Sequence, residues 1–137
     1  MNEVLVFVTD PHGLGGCSAP EVISKFLSKH LETEVPVETI ATADHVVLCM
    51  KGGYMLGVAL MFADEERVLD VQFLCVHKKR RYEGIASRMF EEAKNHCKAW
   101  EYSGIKVKVG AEDAHFTSRG FVARERTDTS VLMQWDA

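Results

Sequence analysis

The chain is poor in the features that staple, span or repeat. Its four cysteines, Cys17, Cys49, Cys75 and Cys97, stand far apart and form no Cys-x-x-Cys pair. Cys49 and Cys75 fall inside apolar runs, where a thiol acts as a small hydrophobe. This spacing argues against a zinc site or a disulfide framework and predicts a reduced, cytoplasmic protein. The six histidines are equally scattered, so no metal site is expected. No apolar run approaches membrane-spanning length and no basic-then-apolar leader is present, so a soluble protein without a membrane role is expected. With three prolines, no repeats and no low-complexity stretch, residues 1–137 read as a single domain, large enough for a core without staples. The Gly13-Leu14-Gly15-Gly16 loop lacks the Gly-Lys-Ser/Thr ending of a P-loop, which argues against nucleoside triphosphate binding.

What is present is concentrated charge. Lys78, Lys79, Arg80, Arg81 and Arg88 crowd one short segment against a single carboxylate, Glu83, although the whole chain carries a formal charge of −4. A basic mouth on an acidic body suits an anionic cofactor and a cationic acceptor, and argues against general nucleic-acid binding. The acidic turns at Glu32–Glu34 and Asp64–Glu66 suit recruitment of such an acceptor, or simply solvation.

Periodicity gives the order of elements. Asn2–Thr9 alternates as a strand, and Ser18, Pro20 and Glu21 signal a helix start ahead of the Val22, Ile23, Phe26, Leu27 stripe. Val35–Ala43 is ambiguous. His45–Met50 and Tyr54–Phe62 flank Lys51-Gly52-Gly53, a hairpin signal, and Val68–Val76 completes a meander. Ile85, Met89, Ala93, Cys97 and Trp100 recur with helical spacing. A strand at Ile105–Val109, a short helix at Ala111–Arg119 stopped by Gly120, and strands at Phe121–Ala123 and Val131–Trp135 close the chain.

The most informative segment runs from Val68 to Ser87: a buried strand, a basic turn and a helix opening at a glycine. Helix starts carry free N–H groups and partial positive charge, so basic residues avoid them unless an anion intervenes. Gly84 and Ala86 leave room for a phosphate to approach the backbone, and Arg81 can add charge-assisted hydrogen bonds. Asp70 and Gln72 interrupt the strand's apolar run two residues apart. A buried carboxylate is costly unless paired or used.

Arg81-Tyr82-Glu83-Gly84-Ile85-Ala86 matches the Arg/Gln-x-x-Gly-x-Gly/Ala signature of the Gcn5-related N-acetyltransferase (GNAT) superfamily. Lys51-Gly52-Gly53-Tyr54-Met55-Leu56-Gly57 resembles its second hairpin, and Ala114 through Gly120-Phe121 its final motif. The resemblance spans nearly the whole chain. It implies an α/β (α+β) fold: a mixed, mostly antiparallel twisted sheet of six to seven strands with about three helices, splayed where strand 68–76 meets strand 105–109. It further implies an acetyl-CoA-dependent N-acetyltransferase working by direct attack in a ternary complex. Arg81, Tyr82, Glu83, Gly84, Ile85, Ala86 and Ser87 would hold the pyrophosphate, and backbone groups of Cys75 and Val76 the pantetheine arm. The Leu74 or Cys75 N–H would polarise the thioester carbonyl.

Amine acetylation needs a neutral nitrogen, hence a base near neutral pH. Asp70 falls where the histone acetyltransferase branch has its catalytic glutamate; one methylene shorter, it would act through water. Its other reading is a strand-end carboxylate satisfied by a neighbour. Phe116 stands where many members carry a tyrosine acid, so that acid is absent; Phe116 would pack on pantetheine or serve the core. Phe73-Leu74-Cys75-Val76-His77-Lys78-Lys79 also resembles the acyl-CoA-binding segment of N-myristoyltransferases. Cys75 as an acyl-carrying nucleophile finds no basic partner in the sequence. The acceptor implied is a polyamine, another small cationic amine, or a protein lysine or N-terminus, acted on by a monomer or homodimer. The competing class is a non-catalytic acyl-CoA-binding or protein-interaction module of the same fold.

Overall fold

The computed structural model describes residues 4–11, 19–31, 33–81, 83–110 and 114–137. Among these residues seven strands and four α-helices follow in the order β1 (Val4–Thr9), α1 (Ala19–His30), α2 (Val37–Ala41), β2 (His45–Lys51), β3 (Tyr54–Ala63), β4 (Val68–Val76), α3 (Ile85–Ala99), β5 (Gly104–Val109), α4 (Ala114–Thr117), β6 (Val122–Arg126) and β7 (Val131–Asp136). They build one sheet with spatial order β1-β2-β3-β4-β5-β7-β6. Among the described residues β4 and β5 pair in parallel and every other neighbouring pair is antiparallel. This is the mixed, mostly antiparallel sheet that the family resemblance implies.

The ambiguous stretch 35–43 contains α2, seeded by Pro36 at its N-cap and anchored by buried Ile40. The last helix has a single described turn, and residues 111–113, where the sequence placed its start, lie outside the described residues, as do Asn2 and Ser18. Phe121 is not the first residue of a strand. It is buried in the core, and β6 runs instead from Val122 to Arg126 along the sheet edge.

The central strands read as continuous apolar runs because both faces are covered. Ile23, Phe26, Leu27 and Ile40 from α1 and α2 pack with Val46, Leu48, Val58 and Leu60 on one face. Ile85, Met89, Phe90, Ala93 and Cys97 from α3 pack with Val47, Cys49, Ala59 and Met61 on the other. Gly57 sets how closely α3 approaches: a Cβ there would lie 2.8 Å from the Met89 Sδ and 3.3 Å from the Ile85 Cγ2. The first turn of α3 is therefore pressed onto β3 beside the end of β4, to which Gly57 pairs through Val76.

At the opposite end of the sheet a polar aromatic cluster closes the fold. The His45 Nε2 meets the Tyr102 hydroxyl at 2.8 Å, and the His45 Nδ1 meets the His96 Nε2 at 3.2 Å. Burial, reinforced by His45, lowers the His96 pKa to about 4, and burial also lowers that of His45. A histidine depressed in the folded state binds more protons when unfolded. Its contribution to stability is thus present above the unfolded value of 6.5 and is lost as pH falls from there towards the folded value. Thermal unfolding followed from pH 7.5 to 4 should show a falling Tm, and His96→Phe should flatten that slope. An unchanged slope in the variant would remove this cluster from the acid response.

Candidate active site

The site begins where the sheet comes apart. β4 and β5 stay in register from Val68↔Gly104 to Val71↔Val107, and their pairing ends there. On its other side β4 continues to pair with β3, but the register shifts between Leu60↔Phe73 and Met61↔Val71, leaving Gln72 as the extra residue of a bulge. The bulge reverses which face each side chain meets. Leu69 and Val71 belong to the α3-side core, whereas beyond the bulge Leu74 and Val76 take that side and Phe73 and Cys75 turn to the α1 side. A wedge of about 600 Å³ opens between the diverging strands, lined by Gln72, Phe73, Leu74, Val109, Gly110 and Phe116 among others.

Beyond the bulge no strand among the described residues pairs with one edge of β4. The His77 N–H donates to the Leu56 carbonyl at 2.8 Å, so that residue faces β3. The Cys75 carbonyl also lies on the β3 side, close to where a Gly57 Cβ would stand. By strand alternation, the backbone groups of Leu74 and Val76 face the wedge and those of Cys75 do not. One of these edge acceptors is already occupied, since Arg81 Nε donates to the Val76 carbonyl at 3.1 Å.

From the wedge a groove continues past Leu74 and Val76 to Arg81, Gly84, Ala86 and Ser87 at the start of α3. Gly84 is the N-cap, with φ +81°, and offers no capping side chain. Helix N-caps are usually Ser, Thr, Asp or Asn, whose oxygens occupy the first free N–H groups. The first intrahelical bond here is Arg88 N–H to the Gly84 carbonyl. The N–H groups of Ile85, Ala86 and Ser87 therefore point out of a 15-residue helix at its positive end, with no intrahelical or side-chain partner among the described residues.

Arg81 sits differently from the phosphate ligand expected of it. Besides its bond to Val76, its Nη2 donates to the His30 carbonyl at 2.7 Å, so the guanidinium ties the end of α1 to the end of β4. Glu83 points to Arg80, with both carboxylate oxygens within 3.0 Å of the Nε. Tyr82 lies outside the described residues. Two further residues join the site without any sequence expectation. The Arg119 Nη2 donates to the Ser87 Oγ at 2.6 Å and brings another cation to the first turn of α3. The His30 Nδ1 accepts the Lys78 N–H at 3.2 Å and helps fix the basic turn. Nothing in the local sequence of either residue signals these roles, which arise from tertiary contacts.

Asp70 lies below the splay, on the strand alternation opposite the Leu69 and Val71 side chains, and is half-buried. It accepts a bond from Gln72 Nε2 at 3.3 Å, and Gln72 in turn lines the wedge. Asp70 pairs in register with Lys106. Lys106 donates to Asp64 at 2.8 Å, and that bond, with added attraction from Asp70, raises the Lys106 pKa. Phe116 packs edge-on against Phe90 and Phe121 while also lining the wedge. Cys75, Cys49 and Cys97 are buried, and burial pushes each thiol up. Among the described residues no group of His, Cys, Asp and Glu is placed to hold a metal ion, and no helix is long and apolar enough to cross a membrane.

Residues 15–129 match the acetyltransferase (GNAT) domain family, so the chain belongs to that family. It matches no curated protein in sequence. Its fold is similar to that of the GNAT N-acetyltransferase YhbS from Escherichia coli, solved with CoA: TM-score 0.77 and 15% identity, over 99% of this chain and 82% of that one. It is also similar to the Escherichia coli ribosomal-protein-S18-alanine N-acetyltransferase, with TM-score 0.75 and 11% identity over 96% and 94% of the two chains. A GNAT acetyltransferase from Elizabethkingia anophelis with acetyl-CoA bound gives TM-score 0.74 and 12% identity over 96% and 98%.

The buried thiols give a direct check. In a Cys17→Ser background, Ellman's reagent at pH 7.5 should find no fast-reacting thiol in the native protein and three after denaturation. A fast native thiol that disappears in Cys75→Ser would identify Cys75 as accessible and reactive.

Proposed function

We propose that the protein is an acetyl-CoA-dependent N-acetyltransferase that delivers an acetyl group to a primary amine by direct transfer in a ternary complex. The observation that carries this reading is the pairing of an unpaired strand edge with an uncapped helix start along one groove. The two features fit the two ends of one ligand. An extended chain of amides suits the Leu74 and Val76 edge, and a diphosphate suits the Ile85, Ala86 and Ser87 N–H groups. Gly84 contributes by having no side chain to occupy those donors. Arg81 contributes by holding the loop, and Arg119 and Ser87 add a charged and a hydroxyl contact at the same helix start. When bound, the cofactor supplies an acetyl group activated as a thioester.

Within the wedge, the Leu74 N–H is the group offered to an acyl oxygen as negative charge develops on it. Strand alternation favours it over the Cys75 N–H for this role. Phe116 excludes water from the wedge and supplies no proton. Asp70 is the base. Its bond to Gln72, which lines the wedge, supports a path in which a water held by Gln72 carries the proton from the amine to the carboxylate. Lys106 stands beside Asp70 in register on β5. Cys75 takes no part: it is buried and burial pushes its thiol up, which speaks against an acetylated intermediate at that cysteine.

The acceptor is a polyamine, another small cationic amine, or a protein lysine or N-terminus. The Escherichia coli neighbour named for the alanine of ribosomal protein S18 is consistent with the last of these. A non-catalytic acyl-CoA-binding module is the other reading, favoured by the absence of a carboxylate or hydroxyl among the described residues that line the wedge.

Asp70→Asn should lower turnover at pH 7 by about a hundredfold, the usual scale of a lost general base, while cofactor affinity stays unchanged. Equal turnover in the variant across pH 6–9 would remove Asp70 from the mechanism. Gly84→Glu should place a carboxylate among the helix-start donors and weaken CoA binding about tenfold or more by calorimetry. Unaltered affinity would mean that the diphosphate lies elsewhere.

A further inference from the structure

The basic run that dominates the sequence is not used up by the groove at α3. Arg81 is spent on two backbone carbonyls, and Lys79 does not line that groove. Lys79 instead turns to the other face of the sheet. There, with Lys25 and Lys29 of α1, Lys51 and Tyr54 of the β2–β3 hairpin, and Arg80, it surrounds a second cavity of about 570 Å³. Arg80 borders both cavities and is partly neutralised by Glu83. Among the described residues the four lysines have no ion-pair partner, and no carboxylate lines the cavity.

The cavity wall is built around two imidazoles in contact, tilted 39° to each other. The rings of His30 and His77 lie 4.0 Å apart, with Phe26 4.6 Å from His30. Each imidazole accepts a backbone N–H at Nδ1, from Lys78 at 3.2 Å and from Lys79 at 3.1 Å. A neutral ring that accepts at Nδ1 carries its proton on Nε2, so both present a donor. Burial lowers the pKa of both rings, and the surrounding Lys29, Lys78, Lys79, Arg80 and Arg81 charges act in the same direction. Cations gathered on three separate elements, with Glu83 on Arg80 as the one counter-charge among the described residues, repel one another, and a bound anion relieves that repulsion. Phe26 and Met55 with the 77%-exposed Tyr54 add an apolar and aromatic wall that a bare ion does not need.

We propose that this cavity, between α1, the β2–β3 hairpin and the turn at 77–80, is a phosphate monoester site separate from the groove at α3. Its ligand carries the phosphate on an apolar or aromatic body. The phosphate belongs either to the 3′-position of the bound cofactor or to a second phosphorylated molecule, and the two sources behave differently in one experiment.

The probe is phenyl phosphate, titrated into the full-length protein by calorimetry and by imidazole NMR. Saturable binding is expected, with the His30 and His77 resonances shifting. Lys25→Gln combined with Lys51→Gln should weaken it about tenfold or more, since two charge-assisted contacts are lost. Gly84→Glu should leave it intact, which separates this site from the helix-start groove even if the acetyltransferase reading fails. With a phosphate drawn from the cofactor, saturating CoA displaces the probe and 3′-dephospho-CoA does not. With a second molecule, the probe still binds in the presence of CoA. No saturable binding, binding indifferent to the double lysine variant, or binding abolished by Gly84→Glu would each overturn the proposal.

Discussion

The structure turns on the point where β4 stops pairing with β5. Above Val71 and Val107 a strand buried in the middle of a seven-stranded sheet keeps one hydrogen-bonded neighbour and loses the other. Unpaired backbone groups in a protein interior are expensive, costing about 1–3 kcal/mol each if nothing satisfies them. Part of that cost is met within the chain, by the Arg81 guanidinium on the Val76 carbonyl. The remainder suits the ligand proposed for this edge, an extended molecule with its own amide groups. The bulge at Gln72 belongs to the same event. It re-aims Phe73 and Cys75 into the α1-side core and Leu74 and Val76 towards α3, so the strand can bend away without exposing its apolar residues.

The second end of the groove depends on close approach. Gly57 has no side chain, so Ile85 and Met89 sit directly on β3, and the first turn of α3 is fixed beside the end of β4. Gly84 then ends the loop in a left-handed conformation that side chains disfavour by about 1–2 kcal/mol. These two glycines do different work. One removes bulk between packed elements, while its partner leaves helix donors open, and open space surrounds the position where its Cβ would stand.

Much of this is legible in the amino-acid sequence. Val68–Val76 reads as a strand because its apolar run is bounded by turn residues, and Lys51-Gly52-Gly53 announces the β2–β3 hairpin, which closes with Gly52 at φ +61°. The splay and the seven-stranded order are legible only through the family resemblance, because a parallel pairing that ends after four residues leaves no periodicity in either strand. The bulge at Gln72 is invisible too: Asp70 and Gln72 alternate as ordinary strand neighbours, and the apolar residues around them occupy both faces, so nothing shows which residue is extra. Asp70 reads as buried because its neighbours are apolar, yet it is half-buried, since the strand beside it carries Lys106 rather than another hydrophobe. The basic run reads as a single phosphate clamp. Its side chains divide between backbone capping, an internal ion pair and the opposite face, a partition set by the three-residue helical turn at Lys78–Arg80.

The central claim is that one ligand spans the open edge of β4 and the start of α3. Amide hydrogen exchange with and without acetyl-CoA tests it at single residues. The account predicts slowed exchange at Leu74 and Val76 together with Ile85, Ala86 and Ser87, and little change at Cys75, whose N–H already faces β3. Protection confined to one of the two segments, or absent from both, would contradict it.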